Sequence, residues 1–174
     1  MKNKRYFFLI ISIVIVLFLV LLSSLNKNNN YSTENIKNID ISDFSSSELF
    51  TNKKIVFSSI LNKKEFTILN IWASWCAPCR SEHYILLDLS NNGNTNLIGL
   101  NYKDKENNAK SFISELGNPY DIILTDPSGL ISIELGAYAV PETYIIKNLS
   151  KKVIKKYLGP LDNKALKEIK KIIN

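Results

Sequence analysis

Apolar runs separated by polar breaks recur along most of this chain, and their lengths and spacings predict strands alternating with helices. Short or continuous apolar runs predict strands over residues 66–73, 97–101, 122–124, 143–146 and 153–157, with an early strand or turn over 54–60. Helical spacing predicts helices from the Cys76 region to residue 89 and over 107–116, 130–135 and 162–174. Gly117 is predicted to end the helix over 107–116, and Asp162 is predicted to be the N-cap of the last helix. This alternation implies an α/β layer structure with a largely parallel centre.

The first 25 residues follow a different pattern, because residues 6–22 are almost wholly apolar. A run of about 20 apolar residues can cross a hydrocarbon core of ~30 Å. Lys2, Lys4 and Arg5 precede the run and only Lys27 follows closely, which predicts a cytoplasmic N-terminus. A cleaved signal peptide is the alternative, but residues 22–26 lack a clear small-x-small cleavage pattern. We therefore predict an uncleaved membrane anchor over residues 1–25, with the remaining chain outside the cytoplasm.

The rest of the 174-residue chain divides into a tether and one domain. Residues 26–38 are polar and rich in asparagine, which predicts a flexible tether, and the domain is predicted over 39–174. The net charge is +6, with many lysines near the C-terminus. These lysines are predicted to form solvated faces, including Lys151, Lys152, Lys155, Lys156, Lys164, Lys167, Lys170 and Lys171. An interleaved aromatic and arginine-rich surface is missing, so no nucleic-acid partner is expected.

The two cysteines of the chain occur together in the string Trp75-Cys76-Ala77-Pro78-Cys79-Arg80, directly after a predicted strand. A strand that runs into a helix would put Cys76 at the first turn, where unpaired N–H groups stabilise a thiolate. Pro78 is tolerated in a first turn because its missing N–H would have no partner there. Residues three apart on a helix are close enough to close a disulfide. The pair can therefore alternate between dithiol and disulfide.

A purely structural use of the cysteine pair fits this chain less well than a redox use. A structural zinc site needs about four Cys or His ligands, and the chain offers only His83 beyond the pair. A purely structural disulfide over so short a loop constrains little of the unfolded chain. Thiol–disulfide exchange is favoured, with Cys76 as the more exposed, attacking thiolate and Cys79 as the resolving thiol. We predict no cofactor beyond this redox-active pair and no metal site.

These motifs resemble the DsbE/CcmG family, the thioredoxin-like, membrane-anchored thiol:disulfide interchange proteins of cytochrome c maturation. The resemblance covers about 39–174; it is densest over 69–83 and continues in 99–104, 116–120 and 141–146. It implies an α/β, thioredoxin-like fold with a central mixed sheet flanked by helices, preceded by one N-terminal transmembrane helix. This chain departs from the family's pattern in residues 136–140, where it has alanine and relatives commonly have glycine, and at residues 147–148, where an acidic residue is usual.

The resemblance also implies a substrate-binding segment and a role. Val140-Pro141 is expected to be a cis bond facing the cysteines, with the Val140 backbone pairing with an extended substrate. An ordinary turn proline is the alternative. The implied role is a periplasmic, inner-membrane reductant that keeps either the haem-attachment cysteines of apocytochrome c or a partner maturation thiol protein reduced. A membrane thiol reductase would donate the electrons. The alternatives are a general extracytoplasmic reductase and a redox-inert tethered adaptor.

Two carboxylates are candidates to support the cysteines. Asn70 stands where general thioredoxins carry a buried acid, so another group must take the resolving proton. Glu82, one helical turn after Cys79, is the candidate acceptor, and Glu142 could contribute from the facing loop. The alternatives are that both acids are solvated, or that their charge moderates reactivity by raising the pKa of the thiols.

The two tryptophans are assigned different places. Trp75 is predicted to pack beside the cysteines and to shape the contact surface, whereas Trp72, on the preceding strand, is predicted to lie in the core.

Overall fold

The computed structural model describes residues 2–25, 39–41, 43–61 and 64–174. The chain forms two compact units, Met1–Asn30 and Tyr31–Asn174. The first unit contains helix α1 (Lys2–Leu25), whose side chains from Tyr6 to Leu22 are exposed. Within the described ranges, no helix reaches the combination of length and hydropathy that a membrane span requires. The predicted tether, residues 26–38, lies outside the described residues.

The second unit is built on a six-stranded mixed sheet in the order β1-β8-β7-β4-β5-β6. The strands are β1 (Ile39–Asp40), β4 (Phe66–Trp72), β5 (Thr95–Tyr102), β6 (Ile122–Asp126), β7 (Glu142–Lys147) and β8 (Lys152–Leu158). Strands β4, β5 and β6 are parallel to one another. Strands β7, β8 and β1 add on the other side of β4, each antiparallel to its neighbour. A separate two-stranded sheet pairs β2 (Ser45–Ser47) with β3 (Lys54–Val56).

Helices cover both faces of the six-stranded sheet. The cluster on one face includes residues of α3 (Ala77–Leu89), α4 (Glu106–Leu116) and α6 (Asn163–Ile173). The cluster on the other face includes residues of α2 (Phe57–Leu61) and is joined by the helix α5 (Leu130–Glu134). Every residue of β4 is buried, since the strand lies in the middle of the sheet with helices on either side. The cysteine motif comes shortly after β4, so a fully buried strand leads into it.

Most predicted elements are present, with boundaries that differ by no more than two residues. Asp162 caps α6 through its carboxylate, which accepts a hydrogen bond from the Ala165 N–H at 2.7 Å. Gly117 ends α4 with a positive φ of 90°, a conformation that glycine adopts without steric cost. The single element predicted over 54–60 is wrong, because β3 ends at Val56 and α2 starts at the next residue.

The prediction of a largely parallel centre is correct for β4, β5 and β6 and wrong for the strands on the other side of β4. Strand β7 lies antiparallel to β4, and β8 lies antiparallel to β7. Residues 148–151 join β7 to β8, and so short a connection joins only antiparallel strands, because a parallel pair needs a crossover of a dozen or more residues. The mixed sheet that the family resemblance implied is therefore the arrangement observed.

Candidate active site

The cysteine pair forms a disulfide at the N-terminus of α3. Cys76 is the N-cap residue, and its Sγ accepts a hydrogen bond from the Cys79 N–H at 3.1 Å. The two Cα atoms are 5.3 Å apart, and Pro78 occupies the first turn of the helix, as predicted. The helix N-terminus therefore supplies an N–H donor directly to the sulfur that is predicted to attack.

Cys76 is predicted to be the more exposed of the two cysteines, and in this disulfide form its exposure exceeds that of Cys79 only slightly. Cys76 is 4% exposed and Cys79 is 2% exposed. Both residues belong to the core cluster on the face of α3, and the closed disulfide turns the two sulfurs toward each other. The assignment of Cys76 as the attacking residue then depends on its N-cap position rather than on exposure.

The peptide bond between Val140 and Pro141 is cis, as the resemblance implied. Val140 packs against the core cluster that contains both cysteines. The bond directly precedes β7, which is the neighbour of the strand that leads into Cys76. The proline and the cysteines thus lie at the same end of the sheet, where β4 ends and β7 begins.

The two residues before the cysteine pair contact the loop that follows β5. The N–H and the hydroxyl of Ser74 donate to the carboxylate of Asp104, at 2.6 and 2.8 Å. The indole N–H of Trp75 donates to the carbonyl of Lys103 at 3.1 Å. The Trp75 side chain remains exposed, with its ring centroid 6.4 Å from that of Tyr102. This exposure agrees with the predicted place of Trp75 at a contact surface.

Glu82 is fully buried, so the alternative of a solvated helix residue is wrong. One carboxylate oxygen accepts from the Asn70 amide at 2.9 Å, and the other accepts from the Leu161 N–H at 2.7 Å. Burial raises the pKa of Glu82 from 4.5 to about 7, although both hydrogen bonds act to lower it. Within the described residues, Cys79 makes no hydrogen bond to Glu82 in the disulfide form.

Asn70 connects Glu82 to two further polar groups inside the core. Its amide also donates to the Thr143 hydroxyl at 3.0 Å, and its carbonyl accepts from the Tyr120 hydroxyl at 2.8 Å. Burial raises the pKa of Tyr120, and the charge of Glu82 raises it further, so the phenol stays protonated as a donor. Neither Tyr120 nor Thr143 was predicted from the sequence to join this network. The available signal was Asn70 itself, a polar residue in the middle of an apolar strand.

Glu142 is buried and holds the loop that precedes the cis bond. One oxygen accepts from the N–H groups of Tyr138 and Ala139 at 2.8 and 3.2 Å. The other accepts from the Tyr144 hydroxyl at 3.0 Å and lies 3.0 Å from the Lys156 ammonium. The alternative of a solvated Glu142 is therefore wrong. A proton-transfer role for Glu142 stays a prediction, and its described contacts are with the loop and with side chains of β7 and β8 rather than with the cysteines.

Lys156 supplies the counter-charge to Glu142, so its predicted place on a solvated face is wrong. Its side chain is 1% exposed, and its ammonium donates to the Gly136 carbonyl at 2.7 Å and lies 4.9 Å from the Tyr138 ring centroid. Successive side chains of a strand point to opposite faces of the sheet, so only one of two neighbouring lysines can face solvent. Lys155 points to the opposite face, where it is partly exposed and pairs with Glu168 of α6.

His83, for which the sequence predicts no catalytic role, links two helices. It is almost fully buried, and its Nε2 lies 2.9 Å from the Gly117 carbonyl at the end of α4. Burial lowers the pKa of His83, so the ring is neutral near neutral pH. Its edge meets the Phe112 ring, and the Arg80 guanidinium lies over the same ring while it pairs with Glu115. These contacts fix α3 against α4.

A family model described as Redoxin matches residues 35–173. The chain belongs to the Redoxin family. The match covers the whole sheet and every helix that packs on it, including the cysteine pair and the cis bond. The Redoxin match thus covers nearly all of the second compact unit, Tyr31–Asn174.

Curated proteins similar to this chain include ones named as thiol:disulfide interchange proteins. The chain is 43% identical to the protein CycY of Rhizobium leguminosarum bv. viciae over 106 residues, which are 61% of this chain and 56% of that protein. It is 39% identical to DsbE of Haemophilus influenzae over 119 residues, which are 68% of this chain and 64% of that protein. The chain thus spans less than two thirds of the length of these curated relatives. Their names confirm the resemblance to the DsbE/CcmG group.

Solved structures share the fold of this Redoxin domain. A DsbF homologue from Corynebacterium diphtheriae superposes with a TM-score of 0.68 over 84% of this chain and 94% of that chain, at 23% identity. Similarity at this level of identity shows the fold alone. The thioredoxin-like α/β fold with a central mixed sheet flanked by helices is confirmed.

Proposed function

We propose that this chain is a membrane-anchored, extracytoplasmic thiol–disulfide oxidoreductase that acts as a reductant in cytochrome c maturation. Its clients would be the haem-attachment cysteines of apocytochrome c or a partner maturation thiol protein. The observation that carries the proposal is the Cys76–Cys79 disulfide at the N-terminus of α3, beside the cis Val140–Pro141 bond. Relatives named DsbE and CycY, which share 39–43% identity with the chain, support the choice of pathway.

The first step is attack by the Cys76 thiolate of the reduced protein on one sulfur of the client's disulfide. A mixed disulfide forms between Cys76 and that sulfur, and the client's other sulfur leaves as a thiolate. The helix N-terminus favours the attacking anion, because the Cys79 N–H already points at the Cys76 sulfur at 3.1 Å. No cofactor is required, since the two electrons come from the cysteine pair itself.

In the second step, the Cys79 thiolate attacks the Cys76 sulfur and releases the client as a dithiol. The protein is thereby oxidised to the Cys76–Cys79 disulfide, and a membrane thiol reductase would return two electrons to it. The proposal assigns the Cys79 proton to Glu82, directly or through water. A pKa of about 7 supports this assignment, because a group with that pKa gains and loses protons near neutral pH. Each oxygen of Glu82 can also accept a second hydrogen bond.

The proposed contact with the client uses the backbone of Val140. Within the described residues, neither the N–H nor the carbonyl of Val140 belongs to a hydrogen bond. An extended client segment could therefore pair with this position as an added strand. The exposed ring of Trp75 would lie against the same segment and contribute apolar contact area.

The proposal includes a single-pass inner-membrane anchor over residues 1–25, with the domain in the periplasm. It is supported by the basic residues before the apolar run and by the exposure of that run in α1. An exposed apolar surface of this extent is unfavourable in water and favourable in hydrocarbon. We expect the full chain to stay in membranes after alkaline carbonate washing and a chain without residues 1–25 to be released. Release of the full chain by carbonate would contradict the anchor.

A trapping experiment tests the redox function. The full-length Cys79→Ala variant lacks the resolving thiol, so it should accumulate a mixed disulfide between Cys76 and apocytochrome c or a maturation thiol protein. The matched Cys76→Ala variant should form no such adduct. Mass spectrometry of membranes from cells that express each variant would identify the client, and haem staining would measure holocytochrome c.

Two results would decide against the proposal. Normal haem attachment in a Cys76→Ala/Cys79→Ala double variant would indicate a redox-inert adaptor. Adducts with many unrelated proteins, together with normal cytochrome c levels when the protein is absent, would indicate a general extracytoplasmic reductase.

Replacement of Glu82 tests the proposed proton acceptor. In Glu82→Gln, we expect the release of a preformed mixed disulfide to slow by roughly 10²-fold or more, the contribution typical of general-base catalysis. Formation of the mixed disulfide should change much less, because that step does not involve the Cys79 proton. Stopped-flow measurement of the two steps separates them, and equal slowing of both steps would refute the assignment.

A further inference from the structure

The loop that follows β5 makes hydrogen bonds to Ser74 and Trp75, and these contacts have no role in the exchange steps proposed above. We name residues 103–105 the clamp loop. The clamp loop connects β5 to α4 and contacts Ser74 and Trp75, the two residues directly before Cys76. It therefore lies beside the cysteine motif at the carboxyl edge of the parallel strands.

The carboxylate of Asp104 is the centre of the clamp loop, because it accepts four hydrogen bonds. Two come from Ser74, through its N–H at 2.6 Å and its hydroxyl at 2.8 Å. A third comes from the side-chain amide of Asn101 at 3.0 Å, and a fourth comes from the N–H of Lys105 at 2.8 Å. Hydrogen bonds to an ionised acceptor are about twice as strong as neutral ones. Asp104 thus joins the end of β5 and the start of α4 to the segment that leaves β4.

The neighbouring residue, Lys103, extends the same contact. It adopts a positive φ of 43°, which is uncommon for a residue other than glycine. In this conformation its carbonyl accepts from the Trp75 indole at 3.1 Å, while its N–H donates to the Asp126 carbonyl at 2.9 Å. Hydrogen bonds from this loop therefore connect the ends of β4, β5 and β6, which restrains the position of the clamp loop.

We propose that Asp104 is a positioning residue for thiol–disulfide exchange, which acts by holding Ser74 so that Cys76 stays at the N-cap of α3. This inference rests on the proposed function, because it assigns Asp104 to the same reaction. Without the carboxylate, the chain that leaves β4 loses both bonds at Ser74, and the Cys76 sulfur is no longer fixed against the N–H groups of the helix. Misplacement of a reacting group by about 1 Å can cost as much as ~10²-fold in rate.

The charge of Asp104 predicts the opposite result, which makes the proposal testable. A negative charge near a thiol disfavours the thiolate. If Asp104 acted only through its charge, both Asp104→Ala and Asp104→Asn would increase the thiolate fraction at Cys76 and speed its alkylation. If Asp104 acts as a clamp, Asp104→Ala slows the reaction, and Asp104→Asn slows it less, because its amide oxygen can still accept one of the two hydrogen bonds from Ser74.

The experiment uses the reduced full-length chain in detergent with iodoacetamide as the probe. Mass spectrometry assigns the alkylated cysteine, and the rate is measured from pH 5 to 9. We expect Asp104→Ala to lower the rate at Cys76 about tenfold at pH 7 and to move the midpoint of the pH profile upward. Asp104→Asn should stay within about threefold of the unmodified chain. The control Glu106→Gln removes an exposed carboxylate two residues away and should change nothing.

A double-variant comparison tests whether Asp104 acts through Ser74. Ser74→Ala removes the hydroxyl bond, so it should slow alkylation by about threefold, and Ser74→Thr should restore the rate. Because the two residues share one interaction, the variant with both Asp104→Ala and Ser74→Ala should be no slower than Asp104→Ala alone.

Three results overturn the proposal. They are faster alkylation in both Asp104 variants, an unchanged pH profile with only a loss of thermal stability, and additive effects of the two alanine substitutions. Reduction of a peptide disulfide is measured on the same samples. If the unmodified chain reduces no disulfide, the proposed function fails, while the alkylation rates still decide whether Asp104 positions Cys76.

Discussion

Glu82 is a buried carboxylate whose ionisation the folded protein opposes, so replacing it should change how stability depends on pH. Burial raises its pKa from 4.5 to about 7. Because the folded-state pKa lies above the unfolded-state value, the native state binds more protons than the unfolded state between pH 4.5 and 7. The stability that the protonated carboxyl contributes is therefore fully present below about pH 4.5 and is lost as the pH rises through 7.

The size of the effect follows from the difference between the two pKa values. Each unit is worth 1.36 kcal/mol, so the full difference corresponds to about 3 kcal/mol of unfolding free energy. Roughly 2–3 kcal/mol of this is expected between pH 5 and 8. Glu82→Gln removes the titration. The amide group of the glutamine can satisfy only one of the two donors, Asn70 and Leu161, so the variant should lose about 1 kcal/mol at pH 5.

The two stability curves are therefore expected to cross. At pH 5, Glu82→Gln should be slightly less stable than the unmodified protein. At pH 8, it should be more stable by roughly 1–2 kcal/mol, because the unmodified protein then carries an ionised carboxylate in its core. The assay is urea unfolding of the oxidised proteins at half-unit steps from pH 5 to 8, with near-ultraviolet circular dichroism as the signal.

A matched control separates the buried carboxylate from carboxylates in general. Glu106→Gln removes an exposed carboxylate on α4, so its curve should run parallel to that of the unmodified protein at every pH. If the Glu82→Gln curve also ran parallel, the reasoning from burial would be refuted, since Glu82 would then titrate alike in the folded and unfolded states.

Two further predictions concern the packing around the site. A Cβ at Gly99 would lie 2.8 Å from the Trp72 Nε1, so Gly99→Ala should lower the unfolding free energy by about 1–3 kcal/mol. The control Gly93→Ala should leave it unchanged, because a Cβ at Gly93 would have nothing within 4 Å. Equal unfolding free energies of the two variants in urea would contradict this prediction. Lys156→Met leaves Glu142 without its buried counter-charge and should lower the unfolding free energy by about 3–5 kcal/mol. Lys156→Arg should lower it less, because it keeps a positive charge at this position. A loss below about 1 kcal/mol in Lys156→Met would show that the ion pair contributes little to stability.

The sequence was most informative where a pattern has one structural solution. The continuous apolar run over 66–73 predicts a buried central strand, and β4 is buried at every residue. Asp162 and Gly117 have clear roles as an N-cap and a helix stop, and both predictions are confirmed. Strand direction was harder, because an apolar run has no direction. Periodicity alone could not show that β7 and β8 run antiparallel to their neighbours.

Within the candidate site, the sequence identified residues but not their environments. The local string around Cys76 was enough to predict its place at the N-terminus of a helix. It could not show that Glu82 is buried or that Lys156 faces inward, because burial depends on which elements cover a residue. Tyr120, which is 50 positions from Asn70, shares a hydrogen bond with it only after the sheet has formed.

The sequence by itself thus determined the chemistry of this protein, since two cysteines three positions apart at a helix start allow a disulfide through local geometry alone. Only the tertiary structure decided the setting of that chemistry. It buried Glu82 and Glu142, gave Glu142 a counter-charge from β8, and joined Asp104 to the segment before the cysteines. These features bring together residues far apart in the chain, and their contacts form only when the strands have paired and the helices have packed on both faces of the sheet.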